Sequence, residues 1–213
     1  MSEMKKLITG LSDIHFAKYN GSTFEKPIPI TNAKKCVAKT TFEEDEEWAD
    51  NKNVNPGYVF AGGDGTLTTL GLTPDEQALL FGNTLVKGGV LINSADVAPQ
   101  GAFLFARKKK RSNHRRLFVI YNCVCAPSSL VDAETTEKGK GSSEEVEINF
   151  TIDALEDGNI AYYIDTDSPT VDQEQVTNWF KSVQMPQNLG DELGDELGDE
   201  LNILKVKTTN KKD

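Results

Sequence analysis

The sequence predicts a mainly β protein of the α+β class, with a β-sandwich or β-barrel-like fold, one short flanking helix and a C-terminal helix. Most of the chain alternates apolar and polar residues with a period of two and is rich in Val, Ile, Thr, Tyr and Phe, which is typical of strands. Clusters of Gly, Asn, Asp and Pro separate these segments and predict turns. Roughly six or seven such strands favour a sandwich or a barrel.

The alternating pattern occurs in segments spread along the chain. They are Lys5 to Lys18, Ile28 to Thr41, Tyr58 to Leu70, Gly101 to Lys108, His114 to Cys125, Ser143 to Leu155 and Ile160 to Asp165. We expect each of these segments to form a strand.

Two segments carry helix signals instead. Thr73 as the capping residue, Pro74 at the first helical position and Glu76 three residues after the cap predict a short helix that ends before Gly82. Thr170 followed by Gln173 predicts a second capping box ahead of apolar residues that share one helical face. We expect this second helix to close the folded domain.

The chain of 213 residues is long enough for one domain with an appendage. We expect the folded domain to cover residues 1–185. From residue 186 the composition changes: the unit Gly-Asp-Glu-Leu recurs from Gly190 to Leu201, and a Lys- and Thr-rich end follows. Because glycine at every fourth position disfavours a helix, we expect residues 186–213 to form a mobile tail. A leucine stripe that docks on a neighbour is the alternative.

The composition limits the classes of function. The net charge of −10 and the pI of about 4.8 argue against a nucleic-acid-binding surface over the whole molecule. The sequence has no long apolar run and no apolar leader, so we expect a protein without a membrane span that stays in the cytoplasm. Cys36, Cys123 and Cys125 are expected to be reduced thiols, with the last two sharing a strand face as small buried residues.

No catalytic or metal-binding pattern stands out, so we expect no catalytic residue, no cofactor and no metal. The strongest candidate is Gly62-Gly63-Asp64-Gly65-Thr66, since a GGDGT string opens the nucleotide-binding loop of NAD kinases and related lipid kinases. In those enzymes a helix follows the glycines and presents its amides to phosphate. Here a strand-like segment follows, so we interpret the glycines as a turn or bulge within a β-hairpin and keep the kinase as a remote alternative.

An acidic run interrupts the strand pattern between two predicted strands. It covers Glu43 to Glu47, precedes Trp48, and leads into a polar segment that ends at Gly57. We expect residues 42–57 to form a long loop that reaches an adjacent subunit or ring. Trp48 is the candidate anchor on a neighbouring subunit, because burying an aromatic ring stabilises an interface; a Trp48 folded back on its own sheet is the alternative. The candidate contacts here are Phe42, Glu43, Glu44, Trp48, Asn51 and Tyr58.

A basic run lies between two strongly apolar segments. It covers Arg107 to Arg111 and is followed by Arg115 and Arg116, which predicts a basic hairpin tip. Three interpretations stay open: a solvated turn, a contact with a neighbour's acidic loop, and a nucleic-acid-binding or nuclear-import segment. The candidate contacts here are Lys108, Lys109 and Lys110.

Several short motifs stand in a definite order along the chain. They are Gly10-Leu11-Ser12-Asp13-Ile14-His15-Phe16-Ala17, Trp48-Ala49-Asp50-Asn51, Gly65-Thr66-Leu67-Thr68, Arg115-Arg116 followed by Leu117-Phe118-Val119-Ile120-Tyr121-Asn122-Cys123, and Trp179-Phe180-Lys181-Ser182-Val183. In this order they resemble the major tail protein (tail tube protein) family of long-tailed bacteriophages, the siphophages. The resemblance covers residues 5–185, and the Gly-Asp-Glu-Leu repeats are not part of it.

The resemblance implies a structural virion protein with no catalytic activity. Six subunits would close a hexameric ring, and stacked rings would form a hollow tube for genome ejection, through which DNA passes without specific binding. The implied partners are further copies of the chain and the tail proteins at the tube ends: tape measure, terminator and distal tail. The implied location is the virion, after assembly in the host cytoplasm. A β-sandwich adhesion or carbohydrate-binding module of a virion is the alternative.

Overall fold

The strands are organised mainly in one antiparallel sheet, seen in a computed structural model that describes residues 6–49, 52–127 and 145–187 and only the backbone at 46–49 and 52–56. The strands are β1 (Ile8–Lys18), β2 (Ile28–Pro29), β3 (Ala33–Ala49), β4 (Lys52–Thr69), β5 (Thr84–Val86), β6 (Gly89–Leu91), β7 (Gln100–Lys109), β8 (Arg115–Cys125), β9 (Val146–Ile152) and β10 (Ala161–Asp165). The helices are α1 (Pro74–Phe81) and α2 (Gln173–Asn178).

This architecture confirms the predicted mainly β fold with few helices. Every segment predicted as a strand contains one. Most ends agree within a few residues, but β3 continues to Ala49 and β4 already starts at Lys52. The short hairpin of β5 and β6 was not predicted. The predicted tail at residues 186–213 lies outside the described residues from residue 188 onward, and so does the segment 128–144 between β8 and β9. No helix in the described ranges is long and apolar enough to span a membrane.

The main sheet has the strand order β2-β1-β7-β8-β9-β4-β3, and β10 also pairs with β8. The first half of β8 pairs with β10 and its last residues pair with β9, while β7 lies along its other side. β1 and β3 approach each other although they share no ladder. The sheet therefore curves until its two ends come close, and each face encloses a different core.

The first core lies inside this curved sheet. Its centre is Phe103 of β7, whose ring centroid lies 4.9 Å from that of Phe16 and 4.8 Å from that of Phe150. Leu79, Leu80 and Phe81 of α1 are buried in the same cluster. The cluster joins strands from both ends of the sheet and therefore stabilises its curvature.

The second core covers the opposite face of β1, β7 and β8. Trp179, directly after α2, is fully buried there and donates a hydrogen bond from Nε1 to the carbonyl oxygen of Phe118 at 3.3 Å. The hydroxyl of Tyr121 donates to the carbonyl oxygen of Gln184 at 2.6 Å. The second predicted helix thus closes the domain, as expected from its apolar residues.

Strand β8 contributes alternate side chains to both cores, and a β-bulge exchanges the two faces near its end. The ladder with β7 shifts register between Gly101 and Phe103, and Asn122 in the bulge has a φ of 47°. The extra residue reverses the alternation of side chains. Tyr121 therefore packs in the second core, whereas Cys123 packs in the first.

The two helices differ in how well their starts were predicted. Thr73 and Glu76 form the predicted capping box of α1, and Gly82 ends the helix in the left-handed conformation. The predicted cap of α2 was wrong: Asp172, not Thr170, caps this helix and accepts a hydrogen bond from the backbone N–H of Glu174 at 2.8 Å. The hydroxyl of Thr170 instead bonds with that of Ser168.

Candidate inter-subunit surfaces

Residues 42–57, expected to form a long loop, instead belong to a β-hairpin, so the loop prediction was wrong. β3 and β4 pair as far as Ala49 opposite Lys52. The third strand, β9, pairs with β4 only from Gly63 to Thr69. Beyond that point the hairpin is a two-stranded ribbon, which we call the arm and define as residues 42–49 and 52–60. At the usual rise of a strand, the arm is about 25 Å long.

One face of the arm carries two cross-strand pairs, and each pair contains at least one aromatic residue. Phe42 lies opposite Phe60, and their rings meet edge to face with centroids 5.7 Å apart. Glu44 lies opposite Tyr58, whose hydroxyl reaches the Glu44 carboxylate at 3.5 Å. Phe42 is 51% exposed and Tyr58 is 70% exposed. These aromatic side chains are therefore largely open to solvent or to a partner.

Among the described side chains, the other face of the arm carries acidic groups and the apolar Val59. Glu43 lies opposite Val59, which is 54% exposed. Glu43, Glu44 and Asp45 are all exposed, and the sequence continues with further acidic residues. The arm therefore combines exposed apolar groups with concentrated negative charge.

Two of the predicted contact residues of this region have no described side chain. The backbone of Trp48 lies in β3 opposite Asn53, but its side chain is not among those described. Asn51 lies outside the described residues. The roles expected for both residues stay predictions.

The predicted basic hairpin tip joins β7 to β8, and we call residues 108–114 the basic turn. Lys108 and Lys110 are exposed, as expected for contact residues. Lys109 is fully buried, so the expectation that it is available to a neighbour was wrong. Its neighbours in sequence gave no sign of this, because the carboxylates that bind it come from a distant part of the chain.

Lys109 belongs to a buried ion cluster with the end of β10. Its ammonium lies 3.2 Å from the Asp165 carboxylate and also bonds the Asp167 carboxylate. Arg116 binds Asp165 through two hydrogen bonds of 2.7 and 2.6 Å and lies over the ring of Tyr163. The hydrogen bond from Arg116, supported by that from Lys109, holds the pKa of Asp165 below its ordinary value against the effect of burial. The cluster fixes the base of the basic turn.

Other arginines near the basic turn bind within the chain. Arg115 forms an ion pair of 2.9 Å with Asp13 of β1, and the Nε of Arg107 donates to the carbonyl oxygen of Gly10. The backbone N–H of Lys110 donates to the carbonyl oxygen of Leu7, which is 69% exposed. Leu7 and the N-terminal part of β1 therefore hold the basic turn in place, and the apolar side chain of Leu7 is exposed beside it.

The arm and the basic turn lie at the same end of the main sheet. β4 starts at the arm and runs antiparallel to β9, and β9 runs antiparallel to β8. β8 therefore starts at the end of the sheet toward which the arm points, and the basic turn immediately precedes β8. In the strand order, the arm belongs to the β3 side of the sheet, and the turn adjoins β7 nearer the β2 side.

The Gly62–Thr66 string lies inside β4 and not in a phosphate-binding loop. Two residues, Ala61 and Gly62, face Thr41 at a register shift, and Gly62 has a φ of 106°, which confirms the predicted bulge. A Cβ on Gly65 would lie 2.2 Å from the ring of Phe150. The glycines allow close packing of the strands. From Gly63 onward, β4 pairs with β3 and β9, so its backbone amides face these two strands.

The cysteine side chains are poorly suited to chemistry. Cys123 and Cys125 are buried in the first core, as predicted, and burial raises the pKa of Cys125 to about 12 and that of Cys123 well above its ordinary value. Burial also raises the pKa of Cys36 to about 11. These thiols therefore stay protonated at neutral pH. Within the described ranges, no cluster of three His, Cys, Asp or Glu residues could hold a metal ion.

The β5–β6 hairpin is an exposed apolar feature that sequence reasoning missed. Leu85, Val86, Leu91 and Ile92 are each about half exposed, and Gly88 in the turn has a φ of 84°. A two-residue Lys-Gly connection between short apolar segments is a hairpin signal that could have been recognised. The hairpin packs beside α1, which follows the end of β4 that is remote from the arm.

Comparison with known proteins gives no assignment. No protein-family model matches the chain, and no curated protein matches it.

Proposed function

We propose that the chain is a structural subunit that assembles head to tail into closed rings, and that these rings stack into a hollow tube, as in the major tail proteins that its sequence resembles. The observation that carries this proposal is the arm, a two-stranded ribbon with exposed aromatic side chains that extends past β9. The proposed subunit has no catalytic role.

The arm is a two-stranded ribbon, and an isolated two-stranded hairpin is only marginally stable in water. Over residues 42–49 the outer edge of β3 has no partner strand within the described part of the chain. An unpaired edge of this length is a site of strand pairing with another chain unless it is protected. A neighbouring subunit that covers the arm would supply both the missing backbone partner and a place for Phe42 and Tyr58.

The directions of the strands are compatible with a ring. β3 runs toward the arm end of the sheet, whereas β1 starts at that end. Neighbours related by rotation about a ring axis would therefore bring β3 of one subunit antiparallel to β1 of the next. β2 covers β1 only at His15 and Phe16, so residues 8–13 have no strand on that side within the described chain. A head-to-tail contact that closes by rotation gives a ring.

A stacked tube needs contacts between rings as well as within them. The β5–β6 hairpin carries exposed apolar residues away from the arm end, so the two surfaces lie toward opposite ends of the subunit. The net charge of −10 also suits a tube for DNA, because a negative wall repels phosphate and prevents adsorption during passage.

Removal of the arm tests this proposal. A variant in which residues 43–59 are replaced by Asn-Gly joins the paired residues Phe42 and Phe60 and keeps the three-stranded part of the hairpin, so it is expected to fold but not to assemble. The wild-type protein, concentrated or mixed with tail initiation components, is expected to form rings and tubes in negative-stain electron micrographs. The control variant carries Leu85→Ser in the β5–β6 hairpin and should still form rings. Tubes formed by the arm-deleted variant would refute the role of the arm. A wild-type protein that assembles neither when concentrated nor when mixed with tail initiation components would refute the structural function.

A carbohydrate-binding module is the second candidate, and one surface feature favours it. A depression of about 440 Å³ lies between the β1–β2 connection and the segment after α2, lined by Tyr19, Phe24 and Glu156, among others. Aromatic and carboxylate groups around a groove are suited to sugars. Specific hits on a glycan array that disappear in Tyr19→Ala would favour this function over the tube.

A further inference from the structure

We propose that the arm of one subunit binds the basic turn of the next subunit in the same ring. This inference rests on the proposed ring-forming function and names the two surfaces that meet. The partner is a second copy of this chain, and the contact joins two different patches.

The charges of the two surfaces are complementary. Glu43, Glu44 and Asp45 are exposed on the arm, and Lys108 and Lys110 are exposed on the basic turn. The chain carries a net charge of −10, so a positive surface is scarce and is the natural binding site for an acidic arm. Complementary charges guide association and reject wrong pairings.

The apolar groups of the two surfaces also match. On the arm, Phe42 and Tyr58 project from one face beside Glu44. At the basic turn, Leu7 is exposed and its carbonyl oxygen accepts a hydrogen bond from Lys110. Aromatic anchors in the centre with charges around them are the usual arrangement of a protein interface.

The basic turn is held ready for binding by buried interactions. Lys109 is fixed below the turn by Asp165 and Asp167, so its neighbours Lys108 and Lys110 project away from the core. The backbone N–H of Lys110 also donates to the carbonyl oxygen of Leu7, directly before β1. A receptor that is already ordered loses less entropy on binding, so the arm is the element that gains order in the contact.

The position of the surfaces favours a contact within a ring and not between rings. Both lie at the same end of the sheet, so a contact between neighbouring rings would require one of them to lie at the opposite end. They belong to different sides of the strand order. Rotation about the ring axis from one subunit to the next therefore brings the arm of one subunit beside the basic turn of its neighbour, at the same level along the axis.

Chemical cross-linking tests the contact directly, because the described native cysteines are buried or partly buried with raised pKa values. Two variants, Tyr58→Cys and Lys110→Cys, are mixed in equal amounts and treated with a short bis-maleimide. We expect a covalent heterodimer joined between the arm and the basic turn. The control mixture of Tyr58→Cys with Lys181→Cys, whose lysine is exposed shortly after α2 and away from both ends of the sheet, should give about tenfold less product.

Charge reversal provides the second readout. We expect Lys108→Glu/Lys110→Glu, and separately Glu43→Lys/Glu44→Lys/Asp45→Lys, to reduce ring formation about tenfold or more. A mixture of the two variants should restore assembly, because each supplies the charge that the other has lost. The matched controls, Lys26→Glu/Lys181→Glu and Glu25→Lys/Glu147→Lys/Glu156→Lys, change exposed residues elsewhere by the same net charge and should assemble.

The outcomes separate this inference from the proposed function. Tubes that form unchanged in the charge-reversed variants, without the cross-linked heterodimer, would overturn the contact and leave the ring-forming function in place. Absence of both tubes and heterodimer would overturn both. Duplex DNA binding that disappears in Lys108→Glu/Lys110→Glu, with no heterodimer, would instead assign the basic turn to nucleic acid.

Discussion

The two halves of the β3–β4 hairpin differ in what surrounds them. From Gly63 to Thr69, β4 lies between β3 and β9, and Leu67 is fully buried in the first core. From residue 60 to the tip, the same strand has one neighbour and exposes Tyr58 and Val59. One continuous strand pair is therefore stabilised by its own domain at one end. At the other end it is exposed, and the proposed function supplies a neighbouring subunit to cover it.

The largest expected effect comes from comparing two phenylalanines across this divide. Phe103→Ala should reduce the free energy of unfolding by about 4 kcal/mol, because it empties the centre of the first core. Phe42→Ala, at a position already 51% exposed, should change it by less than about 1 kcal/mol in the isolated subunit. Urea unfolding followed by tryptophan fluorescence measures both. Similar losses would mean that the arm is stabilised within its own subunit.

Two adjacent lysines in β7, one buried and one exposed, allow the same comparison for charged residues. Lys109→Met should destabilise the fold by about 3 kcal/mol, since it leaves Asp165 and Asp167 without their buried cation. Lys108→Met is the control because Lys108 is exposed, and it should be nearly neutral to stability. The two urea midpoints provide the test, and equal midpoints would contradict a structural role for the ion cluster.

Two glycines of β4 allow the same comparison for packing, because Gly65 lies in the three-stranded part and Gly57 lies in the arm. Gly65→Ala should cost about 2 kcal/mol, because the new Cβ would lie 2.2 Å from Phe150 and 2.6 Å from the carbonyl oxygen of Val37. Gly57→Ala in the arm should be close to neutral, since its Cβ would lie 3.7 Å from the carbonyl oxygen of Asp45. Thermal unfolding of both variants checks this. A neutral Gly65→Ala would show that the strands can separate at no cost.

The smallest expected effect is a change in the pH dependence of stability. The pKa of Asp165 is lowered by its hydrogen bond from Arg116, so this carboxylate stabilises the fold above the ordinary Asp pKa of about 3.9. That contribution is lost as the pH falls through the lowered pKa. Asp165→Asn should therefore flatten the decline in the urea midpoint below about pH 4. Asp45→Asn, in the exposed arm, is the control for the removal of one carboxylate outside the ion cluster.

The elements with local signals were predictable from the sequence. Thr73, Pro74 and Glu76 specify the start of α1 within one turn of chain, and the structure contains the predicted capping box. Burial alone would raise the pKa of Glu76, but hydrogen bonds from Thr73 and Thr31 outweigh it and keep the pKa below its ordinary value. The apolar alternation of β1, β7 and β8 likewise reflects side chains that are buried in the two cores.

The features that depend on distant partners were not predictable. Residues 43–47 are uniformly acidic and show no alternation, yet they pair with β4 because the ladder that begins in the body continues past the bulge at Gly62 into the arm. Lys109 lies among other basic residues, and its burial depends on Asp165 and Asp167, more than fifty residues away in the chain. The candidate contact residues Phe42, Glu43, Glu44, Tyr58, Lys108 and Lys110 were chosen from the sequence, and the structure places them on the surface. Their contact with another subunit stays a prediction.

The bulge at Gly62 has a consequence for how such a protein can diverge. It lies where β9 ends and the arm begins, and its left-handed backbone redirects the strand without involving a core side chain. Substitutions, insertions or changes of angle beyond Gly62 leave the packing of Phe103 and Phe150 untouched. Natural selection can therefore change the partner specificity of the arm while the folded body is conserved, so related proteins would be expected to differ most in the arm.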